Sequence, residues 1–265
     1  MSENLIVFDI KGVTKQFKMR RKVVQALETI DIQIKKNEFV VLLGTSGCGK
    51  STLLRMLCGL DFPTTGKINF EGGQVRGPGL DRGMVFQGYT LFPWMSVLDN
   101  VAYGLKERKV PQKERIAIAM EFIRDIGLEG FENVYPRELS GGMKQRVAMA
   151  RTLANNPDCI LLDEPFGALD AQTRESMQEL TLQIWKKYPK TVVMVTHDVE
   201  EAILMADRVI IMKAHPGSIK EVMEIDLPRP RVKETKRTKE FIEYKRHAMA
   251  LILEESIKND LIIDE

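Results

Sequence analysis

The most specific chemistry in the chain lies in Gly44-Thr45-Ser46-Gly47-Cys48-Gly49-Lys50-Ser51-Thr52, which meets the spacing G-x-x-x-x-G-K-[ST]. Glycines at those places let consecutive backbone N–H groups turn toward one point, and a helix beginning at the lysine adds the positive end of its dipole. Such a loop cradles a polyphosphate. Lys50 then reaches the β- and γ-phosphates as a point charge, and the Ser51 hydroxyl offers an oxygen to Mg²⁺.

Other residues have types and places that suit the same chemistry. Asp163 and Glu164 follow the apolar run Cys159-Ile160-Leu161-Leu162. Acids at the carboxyl end of a buried parallel strand belong near a phosphate loop: Asp163 to hold Mg²⁺, usually through water, and Glu164 to orient or deprotonate an attacking water. Ser140 is a good N-cap, and Gly141 and Gly142 leave the first-turn N–H groups open, which makes a second anion site. His197 ends the apolar run 191–196, where it can donate a hydrogen bond to phosphate. Phe17 can stack on a base for about 1–3 kcal/mol without base specificity. Each has a plainer reading as well: a solvated acidic turn, a helix cap, a structural histidine, a core phenylalanine.

These side chains need elements to hold them. Phe39-Val40-Val41-Leu42-Leu43 reads as a strand, and Leu53, Leu57 and Leu60 recur at helical spacing, giving strand, glycine loop, helix. Leu5–Ile10 and Val23–Ile34 predict early β-structure. Lys67–Phe70 alternates as a strand, the glycine-rich run from Gly72 to Gly83 leads to Met84-Val85-Phe86, and Gln87 ends that strand. From about 88 to 156 the pattern is helical, so an all-helical insertion interrupts the α/β order. The 159–162 and 191–196 runs are continuous rather than alternating, as strands covered on both faces are. Asp198 predicts an N-cap with Glu201 three residues on, a variant of the capping box. His215-Pro216-Gly217 reads as a surface turn.

Composition sets the outer bounds. In 265 residues, 44% hydrophobic and 29% charged with a formal net charge of +2, there is neither general disorder nor a whole-protein bias toward nucleic acid or anionic membrane. No apolar stretch approaches the roughly 20 residues of a membrane span, and no signal peptide is evident at the start. Cys48, Cys58 and Cys159 are far apart and lack C-x-x-C spacing, which suits a reducing cytoplasm.

In this order the residues resemble one family, the ATP-binding subunits of ABC transporters, over about residues 5–227. Phe17 resembles the adenine-stacking aromatic, 44–52 Walker A, Gln87 the Q-loop, and 139–142 the signature motif. Asp163 and Glu164 resemble the end of Walker B and the catalytic glutamate, Ala168-Leu169-Asp170 the D-loop, and His197 the switch histidine. The resemblance implies an α/β P-loop NTPase fold: a mostly parallel core sheet with an N-terminal antiparallel β subdomain and an inserted helical subdomain. It divides the chain into an ATP-binding core (1–87 and 157–227), a helical signature subdomain (88–156) and a C-terminal extension (228–265). It implies ATP and Mg²⁺ as ligands, with Ser51, Gln87 and Asp163 on the metal, and Glu164, His197, Gln87 and Lys50 in catalysis. Two subunits, most simply a homodimer, would pair head to tail, each ATP lying between Lys50 of one and Ser140 of the other.

The run Phe92-Pro93-Trp94-Met95-Ser96-Val97-Leu98-Asp99-Asn100-Val101, with Ala206-Asp207-Arg208-Val209 and His215-Pro216-Gly217, resembles the nitrate, sulfonate and taurine importer branch. That implies a peripheral protein on the cytoplasmic face of the membrane, membrane permease subunits docking on Phe92–Val101, and a periplasmic or lipoprotein solute-binding protein acting indirectly. Phe17 stands where tyrosine is commoner and Met143 where glutamine is commoner; neither change touches the phosphate-facing Ser140 and Gly142. A soluble ABC ATPase acting on nucleic acid is the alternative, but such relatives usually carry paired cassettes, coiled-coil insertions or cysteine clusters. A P-loop kinase would leave 139–142 and His197 unexplained. Beyond 228, Arg229, Arg231, Lys233, Lys236, Arg237 and Lys239 precede a helix with Phe241, Tyr244, Ala248 and Leu251 on one face, which predicts packing back on the core.

Overall fold

The computed structural model describes residues 5–19 and 22–263. Along the chain run β1 (Ile6–Met19), β2 (Lys22–Lys35), β3 (Phe39–Leu43), α1 (Lys50–Cys58), β4 (Thr65–Phe70) and β5 (Gly73–Gln74). Then come β6 (Arg82–Val85), α2 (Val97–Glu107), α3 (Gln112–Asp125), α4 (Gly141–Ala154), β7 (Cys159–Asp163) and α5 (Ala171–Lys187). The chain ends with β8 (Thr191–Thr196), α6 (Val199–Met205), β9 (Arg208–Lys213), β10 (Ser218–Glu224) and α7 (Lys239–Ile263). Residues up to Gly79 together with those from Lys190 on form one compact unit, and Leu80–Pro189 form another.

In the first unit, β1 pairs antiparallel with both β2 and β4. One irregular strand therefore covers Ile6–Met19, placing Phe17 within β1, opposite Val24 of β2. A second sheet segment runs β10-β9-β3-β8, with β3 parallel to both β8 and β9 and β10 antiparallel to β9. Every residue of β3 and β8 is buried, which is why both read as unbroken apolar runs. Asp198 caps α6, its Oδ1 accepting from the N–H groups of Glu200 and Glu201. Glu201 does not reach back as a capping box would: its buried carboxylate accepts the Thr196 hydroxyl at 2.7 Å instead, tying α6 to the end of β8.

The C-terminal stretch packs on this unit through Phe241 and Ala248, both fully buried, and through Lys245 on Glu200 of α6. Two of its arginines, Arg229 and Arg231, are drawn into the structure. Arg229 pairs with Asp207, and Arg231 is 3% exposed with its guanidinium on the carbonyls of Ile203, Ala206, Ile225 and Leu227. Burial drives the Arg231 pKa down to about 10.

In the second unit, β6 and β7 pair in parallel, Arg82 opposite Cys159 through Val85 opposite Leu162. α4 packs on β6, α2, α3 and α5. Gly83 admits this approach: a Cβ there would lie 2.4 Å from the Thr152 methyl. The ends of α3 and α5 are pinned by Asp125, which takes Lys187 at 2.6 Å and the Tyr188 hydroxyl at 2.6 Å. This unit thus holds β6, β7 and α5 beside the helical stretch read from the sequence.

Candidate functional site

The first unit carries the phosphate cradle. β3 delivers the chain to Gly44, where any Cβ would meet Cys48 Sγ at 2.7 Å and the Met212 carbonyl at 3.0 Å. Gly47 (φ 82°) and Gly49 (φ 87°) occupy the left-handed region that favours glycine. A Cβ on Gly49 would also lie 2.4 Å from Leu27 Cδ2, so that residue is fixed twice over. Lys50 opens α1 and is 5% exposed. Its ammonium folds back on the loop, donating to the Gly44 and Thr45 carbonyls at 2.8 and 2.9 Å and lying 3.6 Å from Cys48 Sγ. Burial pushes the Cys48 thiol up, more than Lys50 lowers it. Thr45 and Ser46 complete the loop, Ser51 and Thr52 follow Lys50 on α1, and all three cysteines are buried thiols outside any disulfide.

The same unit carries His215, Phe17 and His197. His215, read as a surface turn residue, is exposed as expected, yet its imidazole Cε1 lies 3.6 Å from where a Gly47 Cβ would be. Its turn is stitched to β2 by Gly217 N–H to the Ala26 carbonyl and Glu28 N–H to the Gly217 carbonyl. Phe17 is 39% exposed on β1, and His197 is exposed at the end of β8.

The second unit carries the acids. Asp163 closes β7 and is 6% exposed. Glu164, next along, is held at φ 44°, a conformation that costs a non-glycine residue about 1–2 kcal/mol. Its Oε2 accepts from Gln87 Nε2 at 3.2 Å, so the loop leaving β6 touches the acid leaving β7. Ser140 caps α4 by accepting the Met143 N–H at 3.3 Å. Gly141 and Gly142 leave the first turn bare, and a Cβ on Gly142 would press to 2.5 Å of the Thr173 methyl. Asp170 caps α5: its carboxylate takes the Thr173 N–H at 3.0 Å, and the hydrogen bonds of Thr173 hold its pKa below the usual carboxylate range.

Two organising residues carry no signal in the motif spacing. Arg151 clamps the Gln87 loop, donating to the Thr90 carbonyl at 2.8 Å and to the Tyr89 carbonyl, with its guanidinium 5.5 Å from the Phe92 ring centre. Both Tyr89 and Thr90 lie at positive φ. Asn100 is wholly buried; its amide donates to the carbonyls of Phe92, Met95 and Ser96 and accepts the Phe92 N–H. The run 92–101 is therefore split: Val97 and Val101 are core, while Trp94 is 69% exposed beside Phe92.

The donors fit the ligands that the loop calls for. Ser51, Asp163 and Gln87 offer oxygen, the ligand type Mg²⁺ takes, and among the described residues no three His, Cys, Asp or Glu side chains form a cluster able to hold a metal. A Mg²⁺ ion would complete its shell with water and phosphate oxygens, as it usually does.

The ABC transporter family model matches residues 27–167. The chain is 48% identical over 250 residues to the nitrate import ATP-binding protein NrtD of Synechocystis sp., covering 92% of this chain and 94% of that protein. It is 46% identical over 224 residues to the aliphatic sulfonates import ATP-binding protein SsuB of Bacillus cereus, covering 84% and 88%. Among solved structures, the dimeric post-hydrolysis state of the ATP-binding cassette MJ0796, bound to ADP and Pi, matches with a TM-score of 0.74 at 35% identity, over 83% of this chain and 100% of that one.

Proposed function

The chain belongs to the ABC transporter family, and from that membership we propose that it is the ATP-hydrolysing subunit of an importer for a small solute of the nitrate or sulfonate type. The observation that carries the ATPase half is the cradle at Gly44–Thr52, where Gly44 and Gly49 leave no room for a Cβ, Gly47 and Gly49 lie at positive φ, and the lysine folds back on the loop carbonyls. The import half rests on the names of the relatives, which does not favour the reading as a nucleic-acid ATPase.

Lys50 exchanges the Gly44 and Thr45 carbonyls for the β- and γ-phosphates of ATP. Ser51, Asp163 and Gln87 would hold Mg²⁺, which when bound neutralises phosphate charge. Glu164 takes the proton of the attacking water, and His197 donates to the γ-phosphate. Phe17 stacks the base. Ser140, Gly141 and Gly142 point first-turn N–H groups at the ATP of a second copy, with Asp170 beside them, so the partner subunit's Ser140 completes each site. Contacts to the γ-phosphate from both copies favour a closed dimer, and hydrolysis removes that preference. Residues 88–156 act as the moving signature subdomain, linked to the γ-phosphate by Gln87, and 228–265 as an extension of the core.

Among the described residues no helix is long and apolar enough to cross a membrane. In this reading separate permease subunits, as expected for the import relatives, supply the pathway. The protein works at the cytoplasmic face of the membrane, and a separate binding protein reads the solute. The test is an affinity pull-down of the tagged chain from detergent-solubilised membranes. A multi-span partner supports the importer. Reproducible, ATP-dependent recovery of ribosomal or nucleic-acid-associated proteins alone overturns it.

A further inference from the structure

Lys15 is the one lysine on β1 that is drawn inside: it is 9% exposed, although strand lysines usually lie in water. Its ammonium lies 4.9 Å from the centre of the Phe17 ring, two residues on and so on the same face of the strand. The same ammonium pairs with Asp61 at 2.5 Å and donates to the Phe62 carbonyl at 2.8 Å. Asp61 follows the C-cap of α1, and α1 begins at Lys50 of the phosphate cradle. Covalent chain, helix, ion pair and ring thus link the phosphate end of the first unit to the Phe17 end. A helix of this length advances about 13 Å, which α1 sets rigidly.

We propose that Lys15, locked by Asp61, is a positioning residue for the nucleotide base: it fixes the Phe17 ring through cation–π contact at a set distance from the phosphate cradle. The inference rests on reading Phe17 as the platform on which the base stacks. A cation against one face of a ring leaves the other face free, and Phe17 remains 39% exposed. The strand itself does not depend on the contact. Thr64 N–H donates to the Thr14 carbonyl at 2.8 Å, Gln16 N–H to the Thr64 hydroxyl at 2.9 Å, and the Thr14 and Thr65 hydroxyls pair at 2.7 Å. Removing Lys15 should therefore loosen the ring and leave the fold standing.

The test measures binding of Mg-ATP and of Mg-tripolyphosphate, which has no base, to the full chain and to Lys15→Met, Lys15→Arg, Phe17→Ala and the Lys15→Met/Phe17→Ala double variant. Phe17→Ala calibrates the underlying reading and should weaken ATP roughly fivefold or more. Lys15→Met should weaken ATP roughly three- to tenfold, with tripolyphosphate unchanged and with no further loss when Phe17 is already alanine. Lys15→Arg should bind ATP like the wild type. Should Lys15→Met fail to fold, Asp61→Asn, which loosens the lysine without removing it, should show the same base-only loss at about half the size in log units. If Phe17→Ala leaves ATP binding intact, the platform reading falls and this inference with it. If Phe17→Ala weakens ATP but Lys15→Met does not, or if Lys15→Met weakens tripolyphosphate equally, the platform stands and the positioning role of Lys15 is overturned.

Discussion

Gln87 Nε2 donates to Glu164 Oε2 at 3.2 Å, joining two loops 77 residues apart at the ends of the paired strands β6 and β7. The contact holds the side chain of a residue whose backbone is itself strained at φ 44°. Glu164→Gln keeps the size and the hydrogen-bonding capacity toward Gln87 but cannot accept a proton. ATP binding should persist while hydrolysis falls roughly 10²- to 10⁴-fold, and the ATP-bound dimer should accumulate in gel filtration. A variant hydrolysing at a near wild-type rate removes Glu164 from the mechanism.

Gly49→Ala meets two independent obstacles. The φ of 87° costs an L-residue about 1–2 kcal/mol, and a methyl 2.4 Å from Leu27 Cδ2 adds overpacking of about 1–3 kcal/mol. Thermal unfolding should show the loss, and ATP binding should vanish with it. Adding Leu27→Ala should relieve the overlap but not the φ penalty, so stability should return only in part relative to the Leu27→Ala single variant. Full recovery would show that the backbone conformation carries no cost.

Arg231 donates to buried-side carbonyls in two segments, 203–206 and 225–227. Arg231→Met fills similar space but leaves those acceptors bare, at about 1–3 kcal/mol each if they stay dry. A loss of roughly 3–5 kcal/mol is expected in chemical denaturation, with ATPase turnover per folded molecule unchanged. Arg231→Lys, with one point charge in place of a fork, should recover less than half. A loss below about 1 kcal/mol for the methionine variant would place the carbonyls in contact with water.

The hydrogen bond from Lys245 of α7 holds the Glu200 carboxyl of α6 below the usual carboxylate range, against the opposing effect of burial. A carboxylate with a depressed folded-state pKa stabilises the fold above its unfolded pKa, about 4.3, and that contribution is lost as pH falls through the folded value. Both side chains are more than a third exposed, so the pair is worth only about 0.2–1 kcal/mol. The stability difference between the wild type and Glu200→Gln should therefore be small and constant from pH 8 to 6, and should close below about pH 4. A difference that grows in acid would reverse the sign of the interaction.

How much of this was legible follows from what fixes each residue. Gly47, Gly49 and the Ser140 cap answer local backbone requirements, φ or an N–H to be capped, and such requirements leave a spacing in the sequence. Asp163 and Glu164 were placed by the apolar strand before them. Lys15, Asn100, Arg151 and Arg231 were not legible, because each is defined by what distant segments bring to it. Nothing in the spacing around Lys15 or Arg231 marks either as buried; the turn at Asp61–Phe62 and the carbonyls of 203–206 and 225–227 draw them inside. Glu201 shows the converse error: a valid capping pattern lost to a stronger local partner, the buried Thr196 hydroxyl.

Trp94 tests the proposal that membrane subunits dock on residues 92–101. Buried Asn100 fixes the backbone of residues 92–96 from within, and the Phe92 ring lies between Tyr103 at 4.5 Å and Trp94 at 5.6 Å, so the exposed indole stands on a rigid aromatic base. Its removal uncovers little core, because Val97 and Val101 carry the packing below. Trp94→Ala should thus leave the melting temperature and the ATPase rate of the isolated subunit nearly unchanged. An exposed aromatic anchor at a partner interface is commonly worth 2 kcal/mol or more, about thirtyfold in affinity, so recovery of the membrane subunits in the pull-down should drop sharply. Asn100→Ala should lose the same partners by a different route, through a loosened loop, and with a measurable fall in stability. If Trp94→Ala still recovers the membrane subunits at wild-type yield, the docking surface lies elsewhere on the chain.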